Sequence, residues 1–362
     1  MKTILYKSLT ILFFLCPLAM VAHNPELKGR YTKEKTIKKD YNVNSDAILK
    51  ITNSYGNLNI TSWNENRVLI EVHVTTSGNN EDKVQEKLDN ITVDFEASNS
   101  MVYAKTIFNQ NRSGWGFNWS NNNVNMQINY TVKVPVKNSV HLNNDYGNIS
   151  LDRIDGHAKI KCDYGRLDIG ELRGRNNELR FDYTSKSNFG YINSAEINAD
   201  YSGFTIEKAG NLNIRADYTN GHIVEMENLD YASDYGSLEI DKVKNIEGNG
   251  DYINVKIGDV YGNIKISADY GSIRITDLTA KAGNVELSTN YTGVKIGYSP
   301  DYHFNFEITT DYASVSGKDD FEIHISKEKS SEKYYQGYHG TENSGKHLTI
   351  SSSYGGVSFS KN

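Results

Sequence analysis

Apolar and polar positions alternate along most of this chain, and the alternation changes phase at regular intervals. Ile160 and Cys162 stand four and two residues before Tyr164, and Leu167 and Ile169 stand three and five after it. The same offsets pick out Ile197, Ala199, Phe204 and Ile206 around Tyr201, and Ile266, Ala268, Ile273 and Ile275 around Tyr270. They return as Leu287, Thr289, Val294 and Ile296 around Tyr291. Period-two alternation predicts short strands with one buried face. The switch from even to odd offsets predicts a corner beside the tyrosine, at the Gly, Ser or Thr that follows. A third apolar position recurs eight residues after the tyrosine, as Ile154, Leu172, Val243, Val260 and Leu278. A Gly or Asn follows soon after each of these, so each coil has two or three short faces.

The phase switch itself repeats. Its tyrosines are Tyr146, Tyr164, Tyr183, Tyr201, Tyr218, Tyr235, Tyr252, Tyr270, Tyr291 and Tyr312, with Tyr55 before them and Tyr354 after. Successive gaps from Tyr146 to Tyr312 are 18, 19, 18, 17, 17, 17, 18, 21 and 21 residues, and the last gap is 42. A fixed short period predicts units that bury their apolar faces only by stacking on neighbours. The fold class expected is all-β: a single-stranded parallel β-solenoid (β-helix) of about twelve rungs, on the order of 55–60 Å long at the usual strand spacing. The usual hand of parallel crossovers makes it right-handed, although the period also suits left-handed hexapeptide coils. The 42-residue gap reads as one rung that lost its tyrosine to an insertion.

Each tyrosine shares the parity of the core, and the residue two before it is small except at Phe181. The expectation is a structural column of inward tyrosine rings filling the space beside the small residues. From Tyr146 to Tyr312 the preceding residue is Asp145, Asp163, Asp182, Asp200, Asp217, Asp234, Asp251, Asp269 or Asp311, with Asn290 once. These carboxylates point outward about 5 Å apart and repel by roughly 0.8–1 kcal/mol per pair in water. Backbone N–H groups accepted in local Asx-turns are expected to offset this; bridging cations are the other way.

Residues 1–22 read as a signal peptide, with Lys2 and Lys7 ahead of an apolar core and Ala22 at a plausible cleavage site. Cys16 lacks the small preceding residue of a lipoprotein site. Residues 23–46 read as a polar lead-in and 47–63 as a first rung. Residues 64–139 read as a β-α-β insert capping that rung, with a helix between Asn80 and Asn90, and 140–362 as the solenoid, with a loop at 327–346. No second apolar stretch predicts a transmembrane segment in the mature chain.

The formal net charge of −6 becomes −8 once Lys2 and Lys7 are removed. An acidic chain argues against nucleic acid as a partner. Only Cys162 remains after cleavage, at a small inward position, where it reads as a filler and not a nucleophile. Four prolines in 362 residues suit uninterrupted ladders. The nine histidines show no metal-ligand spacing, and no nucleophilic serine motif or phosphate loop occurs. No catalytic residue, metal or cofactor is therefore expected. Trp115, Phe117 and Trp119, on alternate positions among asparagines, are the candidate binding residues. They suit stacking on sugars, or else packing onto the insert.

A leading Asn53-Ser54-Tyr55-Gly56-Asn57-Leu58-Asn59-Ile60 rung, a strand-rich insert, the Val132-Lys133-Val134-Pro135 strand and serial Asp-Tyr-Gly rungs resemble the bacterial putative-adhesin family. The likeness spans residues 45–362, with tyrosine a departure from the family's more usual Ser-Gly or Asp-Gly corner. It implies an exported β-strand-repeat domain of the bacterial envelope. The expected function is a non-enzymatic, adhesin-like binding or scaffolding protein in the periplasm, on the outer-membrane surface or outside the cell, with a glycan or envelope protein as partner. A periplasmic envelope-stress accessory is the first alternative, and a polysaccharide-active enzyme on a β-helix the second.

Overall fold

The computed structural model describes residues 29–109 and 124–362. The signal-peptide segment and Trp115, Phe117 and Trp119 lie outside the described residues. Among those described are 27 strands and one helix, and the strands hydrogen-bond into a single long sheet.

Most of that sheet is parallel and pairs residue for residue. In a first run, Ile48–Ser54 pairs with Ser139–Asp145, which pairs with Ala158–Asp163, which pairs with Asn177–Asp182. In a second run, Leu58–Trp63, Ile149–Ile154 and Leu167–Leu172 pair in turn. Four longer strands, Ser187–Asp200, Gly203–Asp217, Asn220–Asp234 and Gly236–Asp251, contribute a half to each run. A one-residue slip would turn every apolar side chain to the solvent. The repeat prevents it, so Asp163 faces Asp145, and Asp217 faces both Asp200 and Asp234.

The inward positions read from the sequence form one buried cluster: Ile160, Cys162, Leu167, Ile169 and Leu172 lie at 3% exposure or less, and most of their equivalents in other copies are buried as well. Burial pushes the Cys162 thiol up to about 12, and its Sγ donates to the Gly147 carbonyl. It is an inert filler.

A helix, Glu81–Asp89, stands where the spacing predicts one, with the Asn80 side chain accepting the Lys83 N–H at its start and Val84 and Leu88 buried. The lead-in is not simply a polar segment. Tyr31–Asn42 is a strand, antiparallel to Arg67–Gly78, and its exposed Lys38 and Lys39 blunt the outer edge. Met101–Phe108 and Val124–Pro135 pair in parallel with Ile48–Ser54 and Leu58–Trp63, covering the edges of the first copy.

Two expectations fail at the other end. Residues 327–346 are not a loop: Glu322–Glu328 and Glu332–His339 form an antiparallel hairpin, and its second strand pairs with Phe304–Asp311. No copy has lost its tyrosine either. His347–Ser353 inserts in parallel between Val285–Asn290 and Phe304–Asp311, so the last copy in sequence is not the last in space. Beneath it, Tyr298, Tyr302, Phe304, Phe306, Phe321 and His339 form an aromatic cluster.

Candidate binding surface

The twelve tyrosines form one uninterrupted row, in the order Tyr55, Tyr146, Tyr164, Tyr183, Tyr201, Tyr218, Tyr235, Tyr252, Tyr270, Tyr291, Tyr354, Tyr312. Neighbouring ring centroids are 4.7–5.2 Å apart, with planes 1–8° from parallel. Phe108 packs edge-on against Tyr55 at one end. Tyr312, 64% exposed, leaves the other end open.

The column exists, but its rings do not point inward. From Tyr146 to Tyr354 the tyrosines are 45–64% exposed. The reason is the backbone. Every one of the twelve has a positive φ, from 49° to 64°, so the tyrosine is itself the corner and its side chain swings out where parity counting sends it in. The residue that follows is the one pressed against the neighbouring copy. A Cβ on Gly165 would meet the Gly147 carbonyl oxygen at 2.0 Å. The ladder survives the corner, because the Tyr164 N–H donates to the Asp182 carbonyl, and Tyr201 and Tyr218 donate likewise to Asp217 and Asp234.

A left-handed backbone costs a bulky residue roughly 1–2 kcal/mol and costs glycine almost nothing. Stacking contributes about 0.5–1.5 kcal/mol per aromatic pair, and an interior row has about one pair per residue. The two effects roughly cancel, so turn formation alone does not account for tyrosine at all twelve corners. Each ring covers its neighbours' faces, so the row presents ring edges and hydroxyls. Among the described residues none of the twelve hydroxyls has a hydrogen-bond partner. Those of Tyr164, Tyr235 and Tyr354 are held above the ordinary phenol range, first by desolvation and then by adjacent tyrosines and aspartates.

A carboxylate row lies along one side of the ladder. Four of its members link copies instead of closing local Asx-turns. Asp182 Oδ1 accepts the Asp200 N–H at 3.3 Å, Asp200 the Asp217 N–H at 3.2 Å, Asp217 the Asp234 N–H at 3.1 Å and Asp234 the Asp251 N–H at 2.8 Å. Lys161 pairs with Asp163 at 2.5 Å and Arg180 with Asp182 at 3.5 Å. From Asp200 to Asp269 no described cation is paired with the row. Desolvation and the charges of Asp234 and Asp269 hold the Asp251 carboxyl above its usual range, and desolvation does the same first of all to Asp145. Along the other side run mostly small neutral residues, among them Asn148, Asn220, Ser237, Asn254 and Ser272, with Arg166 the exception.

The recurrence and spacing of this row are evident from the sequence, and its outward face is not. Among the described residues no group of three His, Cys, Asp or Glu side chains is placed to hold a metal ion. No helix among them is long and apolar enough to cross a membrane.

No protein-family model matches the chain, and no curated protein matches it. Among solved structures the chain is similar to a "putative cell adhesion protein" from Clostridium sporogenes, at 11% identity and TM-score 0.19, over 91% of this chain and all of that one. It is similar also to a "putative adhesin" from Parabacteroides distasonis, at 12% identity and TM-score 0.34, over 72% of this chain and 93% of that one. A "putative adhesin" from Bacteroides fragilis is 14% identical at TM-score 0.26, over 70% and 93%. These descriptions match the family that the sequence resembles.

Proposed function

We propose that this chain is an exported, non-enzymatic, adhesin-like protein of the bacterial envelope, and that the tyrosine row is its contact surface. The observation that carries the reading is the row itself: twelve tyrosines held at positive φ, eleven of them about half exposed, where glycine or asparagine would turn the corner at less cost. We read the two parallel runs as alternate faces of one right-handed solenoid of about twelve rungs, with the row along one corner. That arrangement presents the same Asp-Tyr unit at nine of the twelve tyrosines. A linear array of weak, identical sites binds by multiplicity, which suits an extended or repeated partner better than a small substrate. The apolar N-terminal segment, Leu9 to Val21, supports export.

The test is retention of the purified chain on cells and envelope fractions of its own organism, compared with Tyr201→Asn/Tyr218→Asn/Tyr235→Asn. Asparagine tolerates the left-handed corner, so folding should be kept. Retention should fall at least tenfold with an unchanged circular-dichroism spectrum. Unchanged retention would remove the row from the function.

A further inference from the structure

We infer that the occupant of the tyrosine row is the tyrosine row of a second copy of this chain, the two lying side by side and pointing the same way. This rests on reading the row as a contact surface. Exposed apolar patches on monomers usually reach about 300–600 Å². A tyrosine offers roughly 150–250 Å², so the eleven half-exposed rings present on the order of 1,100 Å². A stable interface needs about 800 Å² per partner, which the row supplies from each copy before its flanks are counted.

The chemistry of the flanks favours self-pairing. The row has hydroxyl donors without partners, and beside it the carboxylates of Asp200, Asp217 and Asp234 accept only a backbone N–H each. One copy therefore carries, rung by rung, the donors that another copy's acceptors lack. The match in spacing is automatic, because both rows climb in the same steps of 4.7–5.2 Å.

Symmetry then chooses the direction. Take a two-fold axis parallel to the rows. Each tyrosine row can shift sideways over the partner's aspartate row, and both copies gain Tyr hydroxyl to Asp carboxylate hydrogen bonds wherever an aspartate precedes the tyrosine, at nine of the twelve positions. Charge-assisted bonds of this kind are the strong ones. Antiparallel copies need a two-fold axis across the rows, which allows no sideways shift without breaking closure and sets Asp against Asp. Like charges facing each other along the whole row oppose that arrangement. Parallel copies share one orientation, so the pairing joins neighbours on one surface.

The experiment is sedimentation of the exported chain, with a spin label placed on Asn148→Cys near one end of the row; Cys162 is buried and does not compete. The expected result is a dimer with a short label-to-label separation, abolished by Tyr201→Asn/Tyr218→Asn/Tyr235→Asn with an unchanged circular-dichroism spectrum. A monomer would overturn the inference. So would a dimer whose labels stand apart by nearly the length of the row, or one that survives the triple substitution. Retention on envelope fractions separates the two readings. A monomer that loses retention on the triple substitution leaves the contact surface standing and removes self-pairing; a monomer that keeps it removes both.

Discussion

The rings of Tyr291 and Tyr354 stack at 4.7 Å with planes 4° apart, although the strand carrying Tyr312 and a complete hairpin lie between them in the chain. The final segment closes the sheet from within. Val285–Asn290 and Phe304–Asp311 reach each other only through His347–Ser353.

Truncation before His347 should therefore undo more than the residues removed. Without that strand, Phe304–Asp311 keeps only the hairpin, and the ladder breaks between Tyr291 and Tyr312. We expect residues from about 298 onward to become protease-sensitive while the copies up to Tyr270 stay protected, in limited proteolysis read by mass spectrometry. Protection of Phe304–Asp311 in the truncated chain would contradict this arrangement.

Tyr231 is the one core position filled by a tyrosine in its column, and its neighbour makes room. Ile214 and Ile266 occupy equivalent places, while a Cβ on Gly248 would meet the Tyr231 ring at 2.1 Å. The hydroxyl is buried without a partner among the described residues. Removing an unsatisfied polar group recovers roughly 1–3 kcal/mol of desolvation cost, so Tyr231→Phe should be neutral or stabilising by about 1 kcal/mol. Gly248→Ala should cost about 1–3 kcal/mol through overpacking. Tyr231→Ile in the same chain should restore most of that loss. Chemical denaturation of the two single variants and the double variant checks both expectations.

The aspartate row sets a pH dependence whose sign is fixed by the raised carboxyl of Asp251. A carboxyl raised on folding contributes stability that is full below its unfolded range, near pH 4, and is lost as pH rises through the folded value. Asp251→Asn should accordingly raise the melting temperature at pH 7. The advantage should vanish towards pH 4 and shrink with added salt. An equal gain at every pH would assign the effect to something other than charge. The opposite trend is expected of Asp155, whose carboxyl Arg153 holds below its usual range: Asp155→Asn should lose stability at neutral pH and little at pH 2.

Period-two alternation alone places Ile160, Leu167 and their equivalents in the core, because a strand with one buried face has only one way to satisfy it. The helix at Glu81–Asp89 follows from Val84 and Leu88 at helical spacing. Parity fails at the tyrosines, since it assumes extended backbone on both sides and a single residue at positive φ reverses the direction of its own side chain. Glycine or asparagine would have signalled that corner, and tyrosine does not. Neither could the insertion of His347–Ser353 be read from spacing. A 42-residue gap looks the same whether a copy is missing or the chain doubles back, and only the register against Val285–Asn290 separates the two.

The outward ladder is tested most directly by the unfolding free energy of Tyr235→Asn. An exposed ring at a left-handed corner gives up two stacking contacts of about 0.5–1.5 kcal/mol each and is relieved of roughly 1–2 kcal/mol of backbone cost. The net change should lie within about 1–2 kcal/mol, and Tyr235→Val, β-branched at φ 55°, should be clearly worse. A loss of about 3–5 kcal/mol for Tyr235→Asn, the range for removing a buried aromatic ring, would mean that the tyrosines face the core and that the contact surface does not exist.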